Sequence, residues 1–107
     1  LKMRILLVVA LLLSCGRVMA MPSIEIIIRN HLFYPSELTI AADTKVKLII
    51  VNQDASAEEF ESYELNREKV IPGHSKGIVF VGPLAPGTYP FFGEFFPKTA
   101  QGHIIVK

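Results

Sequence analysis

The 107-residue chain has no tryptophan and a single cysteine, Cys15, placed before the first strand-like segment. Whatever folds after it has no thiol. That excludes a disulfide staple, structural zinc on sulfur, a redox dithiol and a cysteine nucleophile together. A basic surplus is also lacking, with 11 Lys and Arg against 10 Asp and Glu. Lys2, Arg4 and Arg17 all precede residue 20, so eight basic residues face ten acidic ones beyond it and the net charge there is −2. Such a balance, without a basic cluster, argues against nucleic acid as a partner. Neither a phosphate-cradling glycine loop nor a dinucleotide-binding glycine pattern occurs. No segment of useful length repeats apolar residues at helical spacing.

What is present begins with a leader. Lys2 and Arg4 precede the apolar run Ile5 to Leu13, and Val18-Met19-Ala20 supplies a small-residue end. This predicts a secretory signal peptide over residues 1–20, cleaved after Ala20. A membrane span would need about 20 apolar residues. The competing reading is lipidation at Cys15, with Leu12-Leu13-Ser14 as an imperfect signal for it. The remainder, residues 21–107, is enough for one small exported domain. At that size only somewhat over roughly 60% of the unfolded surface is buried, so a dense apolar core is required.

Beyond the leader the chain reads as short strands separated by turns. Ser23 to Arg29 is β-branched and apolar, Glu37 to Ile40 alternates, and Lys45 to Val51 alternates and then turns fully apolar. Asn30 to Ser36 predicts a turn, as do Ala41 to Thr44 and Pro72-Gly73-His74. Glu58 to Leu65 follows a polar loop from Asn52 to Ala57. It reads as a strand, the alternative being a short helix because Glu, Ala and Leu favour one. Asn66 to Ile71 is a charged edge, Ser75 to Val81 a core strand, and Gly87 onward a strand, a loop and a closing strand. About seven or eight strands with closely spaced turns predict an all-β, two-sheet antiparallel sandwich.

The order of these signals resembles the cupredoxin family, and more narrowly the cupredoxin-like domains of bacterial periplasmic proteins that handle iron or copper. The residues that carry the resemblance are Phe33-Tyr34-Pro35-Ser36-Glu37-Leu38, Asn52-Gln53-Asp54 with Glu58-Glu59-Phe60-Glu61, Pro72-Gly73, Leu84 to Tyr89, and Gly102 to Val106. They span essentially all of residues 21–107. The resemblance implies a Greek-key sandwich, a periplasmic location, an iron or copper ion as cofactor, and a partner such as an inner-membrane iron permease system or another envelope protein. No enzymatic activity is expected, because Ser56, Ser62 and Ser75 lack a plausible His-Asp arrangement in the sequence.

Blue-copper members of that family hold the metal with a His after the Asn-rich loop and with Cys, His and usually Met on the loop before the last strand. The corresponding positions here are Glu58 or Glu59, and Gly93-Glu94-Phe95-Phe96. Neither Cys nor His stands there, so a type 1 copper centre is excluded on ligand grounds. The iron-uptake branch is similar in its Glu-aromatic-Glu element, here Glu59-Phe60-Glu61, and in a Gly-Glu-Phe on the closing loop. Phe96 stands where that resemblance implies a His.

The candidate metal ligands are therefore Glu58, Glu59, Glu61 and Glu94. Glu59 and Glu61 share one strand face with Cα atoms about 6.5 to 7 Å apart, close enough for their side chains to converge. Carboxylates suit hard cations such as Fe³⁺, Mn²⁺ or Ca²⁺. The plain alternative for each is a solvated surface charge. Glu94 stands in an aromatic segment and must face water or find a cation, because an unpaired buried carboxylate is costly. His31, His74 and His103 form no ligand spacing. Phe91, Phe92, Phe95 and Phe96 are expected in the core, or as a docking patch if exposed. The second function compatible with these residues is a metal-free sandwich that docks on another envelope protein.

Overall fold

Nine strands and no helix make up the computed structural model, which describes residues 20–107. The predicted leader, apart from Ala20, and with it Cys15, lies outside the described residues. The strands are β1 (Ser23–Arg29), β2 (Leu32–Tyr34), β3 (Glu37–Ile40), β4 (Val46–Asn52), β5 (Glu58–Ser62), β6 (Arg67–Ile71), β7 (Lys76–Val81), β8 (Gly87–Gly93) and β9 (Gln101–Val106).

They form two sheets, one in the order β2-β1-β4-β7 and the other β3-β9-β8-β5-β6. The all-β sandwich expected from the sequence is what forms, but not as a purely antiparallel one. β1 pairs with β4 in parallel, and so does β3 with β9. Parallel neighbours need a crossover between them. Here β3, which belongs to the other sheet, supplies that crossover between β1 and β4.

The count exceeds the expected seven or eight because part of the turn predicted over Asn30 to Ser36 is a strand. Asn30 and His31 both adopt left-handed backbone, with φ of 53° and 59°. A two-residue turn of that kind matches the twist of a hairpin, so Leu32–Tyr34 folds back on β1 as β2.

Alternation in β4 sets the core. Val46, Leu48, Ile50 and Asn52 point inward and are buried, while Lys47, Ile49 and Val51 point outward. Ile26 and Ile28 join them from β1, and Phe60, Phe91 and Ile104 arrive from the facing sheet. Phe91 stacks on Phe60 at 5.0 Å between ring centroids and meets Phe33 edge-on at 5.1 Å. Each such ring contributes roughly 2–3 kcal/mol by leaving water. Among the described residues, the buried apolar side chains form one cluster that runs from Ile26 to Val106 and joins both sheets.

Candidate functional site

One polar side chain inside the sandwich prepares the site. Asn52 ends β4 on the inner face, and its Nδ2 donates to the carbonyls of Ser56, Ile71 and Pro72 at 2.9, 3.1 and 3.3 Å. Its Oδ1 accepts from the Asp54 N–H at 3.0 Å. These bonds fix the loop that delivers the chain into β5.

Asp54 ties the same end of the molecule together. Its carboxylate accepts from the N–H groups of Asn30 at 2.8 Å and His31 at 3.0 Å, so it holds the left-handed turn between β1 and β2. Burial pushes its carboxyl up, but these two backbone donors and the nearby His31 and His74 outweigh burial and hold it below the ordinary value. Its carbonyl also accepts from the His74 N–H at 2.9 Å.

The four candidate acids separate into two groups. Glu58 points inward and is 1% exposed. Its Oε1 accepts from its neighbour Glu59 N–H and from Phe95 N–H on the closing loop, both at 2.9 Å. Its Oε2 is buried without a partner. Room for the carboxylate exists because residue 93 is glycine: a Cβ there would lie 2.5 Å from Glu58 Cδ and Oε2 and 2.7 Å from Ala100 Cβ.

Glu59, Glu61 and Glu94 belong to the opposite, outer side. Glu59 and Glu61 are half-buried and Glu94 is exposed. Glu94 N–H donates to Glu59 C=O at 2.9 Å, which continues the pairing of β5 with β8 and sets the two residues side by side. Across the β5–β6 pair, Glu61 stands opposite Glu68. Glu59, Glu61 and Glu68 each offer a carboxylate oxygen, and these oxygens all lie within 4.8 Å of one another. Loss of hydration, then the charges of Glu68, Glu59 and Glu94, and finally a hydrogen bond with Glu68, push the Glu61 carboxyl above its ordinary range.

The fold thus brings together Glu59 and Glu61, sets Glu94 close enough to act on Glu61, and leaves Glu58 on the far side of the sheet. Glu68 is the acid that sequence reading passed over. Its signal was there: Tyr63 to Asn66 turn the chain, and pairing Ser62 with Arg67 across that turn puts Glu61 against Glu68. The imidazoles do not join either group. His31 stacks on Phe96 at 3.6 Å, His103 lies 3.7 Å from Glu37, and His74 is exposed on the β6–β7 turn. Of the four phenylalanines, Phe91 is in the core, Phe92 is half-buried beside Tyr63, Phe95 is exposed, and Phe96 serves as the platform for His31.

The order of strands, the paired loops at one end and the Asn52 loop leading to β5 define a cupredoxin-like domain. The chain belongs to this family: the model of the cupredoxin-like domain matches residues 2–106. An uncharacterized protein of Rickettsia prowazekii (strain Madrid E), RP394, is 45% identical over 84 residues, which cover 78% of this chain and 67% of that protein. Among solved structures, the metal binding domain of the Cu(I)-exporting P-type ATPase CopA of Streptococcus pneumoniae D39 superposes with a TM-score of 0.71 at 13% identity, over 86% of this chain and 91% of that one. Auracyanin A, a blue copper protein of Chloroflexus aurantiacus, gives 0.69 at 17% identity, over 82% of this chain and all of its own. At such identities the likeness is one of fold.

The residues where blue-copper relatives carry ligands do not fit that metal. Glu58 Oε1 is occupied by two N–H donors, its other oxygen is buried against Gly93, and neither thiolate nor imidazole stands on the loop from Glu94 to Ala100. A copper centre of that type needs a thiolate and two imidazoles.

Proposed function

We propose that this protein is an exported, metal-binding cupredoxin-like domain that holds a hard cation on its outer carboxylates and passes it to a membrane uptake system, without blue-copper electron transfer. The observation that carries this reading is the convergence of Glu59, Glu61 and Glu68 within 4.8 Å. Three carboxylates so close repel each other, and a cation removes that repulsion. Oxygen donors alone favour ions of the Fe³⁺ or Mn²⁺ kind over Cu⁺, which prefers sulfur, and Cu²⁺ would compete strongly, since it binds such donors more tightly than Mn²⁺ does. Several structural neighbours bind copper, so the fold itself is compatible with metal handling. Glu94 would serve as a rim acid for capture rather than as a constant ligand.

The test is calorimetric titration of Met21–Lys107 with Mn²⁺, Cu²⁺ and Fe³⁺ supplied as citrate, repeated on a Glu59→Gln, Glu61→Gln, Glu68→Gln variant. We expect a dissociation constant at or below about 1 µM for at least one hard cation. Binding that is absent, or that persists undiminished in the triple variant, rejects the reading.

A further inference from the structure

The outer face of the four-stranded sheet, opposite the acids, is both apolar and basic. Ile27, Ile49 and Val51 line it half-buried, and Ile78 and Phe80 are 44% and 42% exposed. Pairing sets Ile49 against Ile78 as an apolar floor, with Lys47 opposite Phe80 toward one end and Lys76 opposite Val51 at the other. A groove of about 490 Å³ runs there, lined by Lys47, Ile49, Lys69, Lys76, Gly77 and Ile78. Lys69 comes from β6 of the other sheet, and its stem crosses Gly77: a Cβ at that position would stand 3.6 Å from Lys69 Cγ and Cε and 2.6 Å from Ile71 Cδ1. At the margins, Lys45 lies over the Phe80 ring at 5.1 Å and Arg29 over Tyr34 at 5.0 Å.

None of these cations is neutralised by an acid of the described residues. Among the described residues, the ion pairs within 4.0 Å are His31–Asp54 and His103–Glu37, and no Lys or Arg takes part in one. Glu25 is the acid that β1 contributes to this face. So a domain with a net charge of −2 concentrates five of its eight cations on one sheet and around its edge. Long stems lying on apolar surface with ammonium heads free are suited to a boundary between hydrocarbon and phosphate.

We propose that this face docks on an anionic phospholipid surface. The headgroup phosphates meet Lys47, Lys69 and Lys76, while Ile78 and Phe80 enter the interfacial layer. Charge complementarity selects this occupant: a basic rim around exposed apolar side chains matches a leaflet that is negative at its surface and apolar beneath. A consequence is orientation, since the other sheet, with Glu59, Glu61 and Glu68, then faces the aqueous side. The inference does not depend on those acids binding metal.

Flotation of Met21–Lys107 with phosphatidylcholine vesicles, with and without about one third phosphatidylglycerol, tests it. We expect binding to the anionic vesicles only, lost at roughly 0.5 M salt. Lys47→Glu, Lys69→Glu, Lys76→Glu together should weaken it at least about tenfold, the triple Gln variant should weaken it less, and Lys98→Glu with Lys107→Glu should leave it unchanged. Melting temperature, read on every variant, identifies any that fail to fold, and the Gln series then carries the comparison. Equal binding to both vesicle types, no binding to either, or retention by folded triple variants overturns the proposal. An acidic protein partner in place of lipid corresponds to the second of those results.

Discussion

Glu58 Oε1 accepts the Phe95 N–H at 2.9 Å, joining the start of β5 to the closing loop. With its second bond, from the Glu59 N–H, this carboxylate fixes the loop to the strand. The bond from Phe95 is part-buried, and the other carboxylate oxygen, Oε2, is buried without a partner.

Replacing Glu58 by Ala should therefore cost about 2–4 kcal/mol, through the lost acceptor for two N–H groups and the cavity left behind. Glu58→Gln keeps an acceptor and the shape, and should cost about 1 kcal/mol. Denaturant unfolding of both variants measures this. If Glu58 is a strut and not a ligand, Glu58→Gln also keeps its affinity for Mn²⁺ within about twofold.

The acid cluster makes the opposite prediction. Glu61→Gln combined with Glu68→Gln should raise the melting temperature of the metal-free protein, because it removes a carboxylate that loses hydration on folding and then meets the charges of Glu68, Glu59 and Glu94, which together push the Glu61 carboxyl up. The same variant should lose at least about tenfold in cation affinity. Differential scanning calorimetry with and without Mn²⁺ reads both. A lowered melting temperature without metal would mark these acids as structural.

Gly93→Ala probes the packing of the strut. The added methyl would meet Glu58 at 2.5 Å and Ala100 at 2.7 Å, and neither neighbour can retreat freely inside the sandwich. A loss of about 1–3 kcal/mol is expected from chemical denaturation.

Asp54 gives the acid limb of stability. Its folded carboxyl sits below the ordinary value of 3.8, so its bonds to Asn30 and His31 add stability above that value and lose it as pH falls through the lower folded one. Asp54→Asn, which cannot carry the charge, should lower stability at neutral pH by about 1–2 kcal/mol. Its melting temperature should also fall less steeply than that of the parent protein below about pH 4. Melting curves between neutral and acid pH decide it.

Much of the fold was legible because the alternation in Lys45 to Val51 and the Asn, Gly and Pro turns are local signals. β2 was not, because its hairpin turn is held by Asp54, more than twenty positions away. Nor were the parallel pairings, which depend on which sheet each crossing strand joins.

The sequence by itself determined the class and the exclusions. Residue types decide donor chemistry, so the lack of Cys or His on the closing loop by itself excludes a blue-copper centre. Tertiary structure decided where the acids point. Strand alternation already sets Glu58 on the face opposite Glu59 and Glu61, and the packing of β5 makes the Glu58 face the inner one, sealed against Gly93, while Glu59 and Glu61 face out. Pairing with β6 then brought in Glu68, a partner that is adjacent only across the sheet.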